Sequence, residues 1–280
     1  MKTPFDQIHS ALENDIPPYL LDFLPKKWEK IGNVCIIKLH KKLTAYQQKI
    51  GKIYAEVLKC KSVLNDIGGI TGRFREPKVR ILFGSKVTET CHVENGIKYK
   101  LDPQKIMFSS GNMNERLRMS CISNSHETVV DLFAGIGYFS LPLAVHSKPK
   151  KVYSCEINPI SYQYLCDNIV LNHVTSIVEP LLGNNKQTAP HNIAHRIIMG
   201  YFSNGYEYIP TAVSCLRNKS GIIHFHDIVL VEDIPLKSFT KIQKILKKIH
   251  RKAVLLQYHT IKSYAPGVNH IVLDINVGET

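Results

Sequence analysis

The chain has 280 residues, is 44% apolar, and sets 36 Lys and Arg against 23 Asp and Glu, a formal charge of +13. That length holds one large domain or two with a sizeable core, and the basic excess points to a polyanionic partner, nucleic acid ahead of an anionic membrane. The seven cysteines make no C-x-x-C pair or regular spacing, so no metal site and a reducing compartment are expected. Residues 1–15 lack an apolar signal-like core, and no apolar run approaches about 18 residues, so a cytoplasmic protein without a membrane span is expected.

In chain order, residues 1–45 are mixed, with Pro17-Pro18 and Pro25 breaking any long element. Ile50, Ile53, Tyr54, Val57 and Leu58 recur at helical spacing and predict a helix over about 46–60. Strands are expected at about 79–83, 88–93 and 97–101, the last two flanking Glu94-Asn95-Gly96, a tight-turn signal. Residues 1–104 are therefore expected to form a small α+β N-terminal module. Arg73, Arg75, Lys78, Arg80 and Lys86 cluster near its hairpins and are the expected RNA-facing charges, since phosphate contacts give affinity with little sequence readout.

Residues 105–108 read as a further short strand. Ser109-Ser110-Gly111-Asn112 then turns into a helix, with Asn112 as N-cap and Glu115 completing a capping box, running to about 122. From 128 onward strand and helix alternate: strands at about 128–132, 151–156, 176–182, 196–200, 221–229, 253–260 and 268–276, helices at about 137–147, 159–171, 206–217 and 236–250. The last helix carries a basic run, Lys241 to Lys252, read as a solvated face ahead of a contact with RNA phosphate. Ser263-Tyr264-Ala265-Pro266-Gly267 is too short for a crossover helix, so the final two strands should pair antiparallel. Residues 105–280 thus predict an α/β domain built on a class I methyltransferase-like (Rossmann-like) seven-stranded sheet.

Within it, Asp131-x-Phe133-x-Gly135-x-Gly137 follows a Val129-Val130 strand, and Glu156 ends the next strand 25 residues after Asp131. Gly135 and Gly137 permit a tight turn and a close backbone approach to a ligand, and Glu156 is placed to accept from a ribose diol. Ser140 stands where a dinucleotide fingerprint has its third glycine. Asp131 would repel phosphate but suits a cationic amino acid end, so S-adenosyl-L-methionine is the expected ligand. Pro159 opens the following helix, and Asn184-Asn185, after the third strand, stand where an adenine would be contacted or where a simple turn forms.

Phe108-Ser109-Ser110-Gly111-Asn112 with Glu115-Arg116, the 131–137 loop, Glu156-x-Asn158-Pro159, Arg196-Ile197-Ile198-Met199-Gly200 and Ser263-Tyr264-Ala265-Pro266-Gly267 together resemble the tRNA enzymes that modify the guanosine 3′ of the anticodon. Over about residues 60–280 the chain resembles the tRNA wybutosine-synthesizing protein 2 family, whose archaeal form transfers a 3-amino-3-carboxypropyl group, and its relative, the tRNA guanine-N1-methyltransferase. The resemblance implies that Ser109, Arg116, Glu156, Asn184 and Asn185 hold adenosylmethionine, with Arg116 on its carboxylate. It implies a phenylalanine tRNA partner, bound at its anticodon region, and a 4-demethylwyosine acceptor alkylated at C7. The family usually carries Asp where Asn184 stands, and Asp where His195 stands; Asn184 can still accept from an amine, and His195 is read as structural. The methyltransferase branch carries Arg at the position of Gly111 and Asn-x-Pro at that of Gly200, so methyl transfer is not the expected reaction.

Three rivals stand beside this reading: the sister methyltransferase, a non-catalytic RNA-binding protein with a relic pocket, and an NAD-dependent oxidoreductase, which Ser140 and the charge disfavour. His224-x-His226 lie two apart on one strand face; two His alone make a poor metal site, and buried or pocket-lining roles are expected.

Overall fold

The computed structural model describes residues 2–202 and 204–279. The chain divides into two compact units, Met1–Ser110 and Gly111–Thr280.

The first unit contains α1 (Pro4–Leu12), α2 (Pro18–Leu21), β1 (Trp28–Ile31), β2 (Val34–Ile37), α3 (Gln47–Leu58), β3 (Ser62–Thr71), β4 (Glu76–Gly84), β5 (Thr90–Glu94) and β6 (Ile97–Leu101). A four-stranded sheet runs β1-β2-β3-β4, and β5-β6 form a separate hairpin turning at Asn95-Gly96. The amphipathic α3 buries Ile50, Tyr54 and Leu58 against this unit's core, and the Tyr54 hydroxyl donates to the Pro25 carbonyl at 2.5 Å. Residues 105–108 are not a strand. Asp102-Pro103 starts a turn whose Lys105 and Ile106 N–H groups both donate to the Asp102 carbonyl, which leaves no ladder donors at those positions. The same segment stays packed on the first unit, with the Phe108 ring 4.8 Å from His92 and 5.5 Å from Tyr99. The division therefore falls after Ser110 rather than at 104.

The second unit contains α4 (Met113–Met119), β7 (Thr128–Asp131), α5 (Ser140–His146), β8 (Lys151–Glu156), α6 (Pro159–Leu171), β9 (Val178–Leu182), α7 (Asn185–Thr188), β10 (Arg196–Met199), α8 (Ile209–Cys215), β11 (Gly221–Leu230), α9 (Leu236–Lys248), β12 (Arg251–Ala265) and β13 (Val268–Glu279). Its seven-stranded sheet has the order β12-β13-β11-β10-β7-β8-β9. The β11-β10-β7-β8-β9 run is parallel, while β13 pairs antiparallel with both β11 and β12. The central strands are covered on both faces, as parallel strands require: Val129, Val130, Ile197, Ile198 and Met199 are wholly buried. α9 buries Ser238, Ile242 and Leu246 and exposes Lys241, Lys244, Lys247 and Lys248, so the basic run is a solvated face.

α4 departs from expectation. Asn112 makes no capping bond, and Glu115 turns to Arg118 instead of back to the helix start. The helix stops at Met119 rather than 122, where the Ser120 hydroxyl donates to the Leu117 carbonyl at 2.6 Å. Among the described residues no helix is long and apolar enough to cross a membrane.

Candidate functional site

The strand order reverses direction between β7 and β10, so a crevice opens there at the carboxyl ends of the parallel strands, the place where open α/β sheets bind ligands. Gly135 and Gly137 shape its near wall with φ of +58° and +98°. A Cβ on Gly135 would stand 2.5 Å from the Tyr138 ring, and one on Gly137 2.5 Å from Leu141. Glycine is thus demanded by the loop's own packing, and not only by a ligand's approach.

Glu156 ends β8 as expected, half-buried. Its two carboxylate oxygens accept from the Gly135 and Asn158 N–H groups, each at 2.7 Å. The side chain therefore ties the glycine loop to the start of α6, where the Asn158 side chain caps Ile160 N–H at 2.9 Å ahead of Pro159. Burial pushes the Glu156 carboxyl up, against the two backbone donors that favour its charge.

Asp131 is placed differently from expectation. It is fully buried, with Oδ2 accepting from the Ser140 hydroxyl at 2.7 Å and Oδ1 from the Phe133 N–H at 3.2 Å. It braces the loop from beneath instead of presenting a carboxylate to a cation. Burial pushes its carboxyl up to about 6. Ser140, itself buried, also receives the Ser154 hydroxyl at 2.8 Å, so the residue that interrupts the dinucleotide fingerprint joins three elements.

Across the crevice, Asn184 and Asn185 divide the roles foreseen for them. The Asn184 side chain caps α7 by accepting from Lys186 N–H at 3.2 Å. Asn185 points inward and donates from Nδ2 to the Leu132 carbonyl at 2.7 Å, while its buried Oδ1 lacks a hydrogen-bond partner among the described residues. A buried acceptor left in this way calls for a donor. Phe133 stacks on Tyr201 at 5.1 Å and meets Tyr208 edge-on at 5.0 Å, and the Lys186 ammonium sits 4.8 Å over the Tyr208 ring. Arg116 is buried on α4. Ser109 is half-buried in the segment that closes the first unit. The second unit thus brings Phe133, Gly135, Gly137, Glu156, Asn184 and Asn185 to one end of the sheet. Tyr208 and Lys186 were not anticipated; nothing in their local sequence marks them, because their role depends on long-range packing.

A chain of buried charges underlies the neighbouring sheet face. Glu115 takes both Nε and Nη2 of Arg118, at 2.8 and 2.7 Å, and Arg118 Nη1 donates to Asp274 Oδ2 at 2.7 Å. Asp274 Oδ1 meets His224 Nδ1 at 2.5 Å, His224 Nε2 meets Arg196 Nη1 at 2.8 Å, and Arg196 pairs with Glu127 at 3.0 Å. An arginine can only donate, so Nε2 of His224 accepts and its proton sits on Nδ1, given to Asp274. Burial holds His224 below its ordinary value despite the Asp274 bond. Burial opposes the charge of Asp274, but the His224 hydrogen bond and the Arg118 guanidinium outweigh it and hold the carboxyl below its ordinary range. His195 accepts from the Thr128 N–H at 3.0 Å at the opposite end of the sheet, the structural role expected of it.

The fold and the glycine loop define a class I, adenosylmethionine-type transferase domain. The profile of the TRM5/TYW2 methyltransferase domain matches residues 90–255, and that of the TYW2 N-terminal domain matches residues 8–88. The chain belongs to the TRM5/TYW2 methyltransferase family. It is similar to the tRNA(Phe) (4-demethylwyosine(37)-C(7)) aminocarboxypropyltransferase of Pyrococcus horikoshii, 42% identical over 97% of this chain and 96% of that one. It is likewise similar to the enzyme of the same name from Methanocaldococcus jannaschii, at 43% identity over 89% and 96%. The crystal structure of P. horikoshii TYW2 in complex with MeSAdo matches with a TM-score of 0.87 at 40% identity, covering 99% of this chain and all of that one.

Proposed function

We propose that this protein transfers the 3-amino-3-carboxypropyl group of S-adenosyl-L-methionine to C7 of 4-demethylwyosine at position 37 of phenylalanine tRNA. The observation that carries this reading is the end-to-end match, at 42–43% identity, to two relatives bearing that name. The residues fit the cofactor. The unpartnered Oδ1 of Asn185 would accept from the adenine amine, Glu156 from the ribose hydroxyls, and the Arg116 guanidinium would hold the carboxylate. Bound adenosylmethionine supplies a sulfonium with three electrophilic carbons, and the protein selects among them by orientation.

Transfer forms a bond from C7 to the methionine γ-carbon and breaks the γ-carbon–sulfur bond. The electron pair returns to sulfur, giving neutral methylthioadenosine, and the C7 proton is released to solvent water. Of the two positions that would carry methyl-transfer groups, Gly200 is crowded, whereas Gly111 borders only a flexible lysine side chain. A Cβ on Gly200 would stand 2.8 Å from the Phe139 ring, and one on Gly111 would stand 3.2 Å from Lys262 Nζ. Chromatography of a reaction on tRNA bearing the tricyclic base is expected to give methylthioadenosine with no S-adenosylhomocysteine. S-adenosylhomocysteine as the dominant product would restore the sister methyltransferase reading.

The first unit is proposed to supply phosphate contacts. Arg73 and Lys78 are exposed on the β3–β4 hairpin, whereas Arg75 turns inward to the Met107 sulfur at 3.3 Å and Arg80 donates to Gln47 at 2.9 Å. Changing Arg73 and Lys78 together to Gln is expected to weaken tRNA binding several-fold and to flatten the salt dependence by about 1.5 in log–log slope, roughly 0.7–0.9 per phosphate contact. Filter binding over a salt series measures both, and an unchanged slope would remove these side chains from the interface.

A further inference from the structure

Loop residues 200–202 leave β10 beside the glycine loop, and their two aromatic side chains part company. Tyr201 stacks on Phe133, on the side of the crevice where Asn185 and Glu156 lie. Phe202 goes the other way. Its ring packs 6.0 Å from Tyr264 and 5.3 Å from His270. The column continues inward through His226, 5.2 Å from His270, to Phe139, 5.1 Å from His226 and in the first residues after the glycine loop. Five rings therefore run from the cofactor loop to the surface.

The inner part of the column is sealed: His226 and His270 are each 1% exposed, whereas Tyr264 is 57% exposed and Phe202 half-buried. Phe202 and Tyr264 stand at the carboxyl end of the sheet, because β12 runs parallel to β11 and its turn into β13 falls at that end. Lys262, two residues before Tyr264 on β12, lies against Gly111 with its Nζ 3.2 Å from where a Cβ would stand. An exposed aromatic face at the carboxyl end of the sheet, in a chain of charge +13, has the chemistry to receive a nucleobase taken out of its stack.

We propose that the Phe202 ring is the stacking face for the acceptor base, with Tyr264, set at 71° to that ring, meeting the base edge-on, and that the divergence of Tyr201 and Phe202 separates the cofactor side of the crevice from the acceptor side. This rests on the reading that the acceptor is a tricyclic base in tRNA. A tricyclic ring system offers more stacking surface than guanine, so the Phe202 platform discriminates as well as holds. The Tyr201 ring keeps to the cofactor half, and the Phe202 ring sets how far the base enters before its reacting carbon meets the sulfonium.

The test compares tRNA carrying the tricyclic base with tRNA carrying unmodified guanosine at that position, bound to wild type, Phe202→Leu, Tyr264→Leu and Phe202→Trp in the presence of adenosylmethionine. Wild type is expected to favour the tricyclic tRNA. Phe202→Leu should reduce that preference by tenfold or more and lower kcat/KM for tRNA ten- to hundredfold, while adenosylmethionine affinity stays within twofold by calorimetry. Tyr264→Leu should act in the same direction with a smaller loss, and Phe202→Trp should keep most of the preference. An unchanged preference in folded Phe202→Leu would overturn the proposal, as would an equal loss of adenosylmethionine affinity, which would mark a structural role. If wild type gave no methylthioadenosine on the tricyclic tRNA, the activity assignment would fail, and the binding comparison would still decide the stacking face.

Discussion

Asp274→Ala is expected to lower the unfolding temperature by roughly 10 °C at neutral pH. Asp274 is 2% exposed and accepts from His224, from Arg118 and, at 2.8 Å, from Gln257. Its removal leaves the Arg118 guanidinium facing one carboxylate, Glu115, and the His224 Nδ1–H facing none. Breaking a buried charge pair from one side costs about 3–5 kcal/mol, and in a domain of this size each kcal/mol moves the transition by about 2–4 °C. Arg118→Leu should destabilise at least as much, because it leaves two buried carboxylates, Glu115 and Asp274, without the cation they share.

The pH dependence has a definite sign. Asp274 is held below its ordinary value of 3.8 in the native state, so the unfolded chain binds its proton first as pH falls. Its contribution is therefore fully present at neutral pH and is lost progressively as pH falls below about 4–5. The gap between wild type and Asp274→Ala should narrow in that range; scanning calorimetry at pH 7 and pH 3.5 measures it, and a gap that widened on acidification would reject the assignment. Asp131 acts in the opposite sense. Its carboxyl is pushed up to about 6, so the native state binds the proton first and its contribution weakens as pH rises between about 4 and 6.

What could be read from the amino-acid order depended on how far apart the interacting residues are. The glycine loop, the strand-end Glu156 and the Asn158-Pro159 helix start lie within 28 residues of one another, and each announces its role through local backbone demands. The antiparallel end of the sheet was legible from one short turn. Residues 1–45 were not, because β1 and β2 are four residues each and β1 carries Glu29 and Lys30 between its apolar positions. β3 was missed as well, since Asn65-Asp66-Ile67-Gly68-Gly69 reads as a loop although it lies in a strand with a register shift after Asp66. The buried charge chain was invisible for a different reason. Arg118 and Asp274 are 156 residues apart, and Arg196 and Glu127 are 69 apart, so no window over the sequence contains both partners. Asn112 and Glu115 misled because a capping pattern competes with an Arg at i+3, and pairing of the buried Glu115 with the part-buried Arg118 won.

Glu156→Ala is expected to weaken adenosylmethionine binding at least tenfold and, at the same time, to loosen the loop that binds it. The two effects have different origins. If the carboxylate accepts from the ribose hydroxyls, its loss removes charge-assisted hydrogen bonds worth about 1.5–3 kcal/mol, which is roughly 10- to 150-fold in affinity. It also strips the acceptors from the Gly135 and Asn158 N–H groups, and a donor left unsatisfied costs about 1–3 kcal/mol of stability. Glu156→Gln separates them. One amide oxygen can still serve either Gly135 or Asn158, but the NH2 group must then face the other N–H, so the loop should be strained while the ribose contact is only partly lost. The expected order of affinity is wild type, then Gln, then Ala, with unfolding temperature following the same order. Calorimetric titration with adenosylmethionine, alongside thermal unfolding of each variant, measures both quantities. Unchanged affinity in a folded Glu156→Ala would remove the carboxylate from the ligand and leave it only the loop-bracing role seen in its two backbone hydrogen bonds.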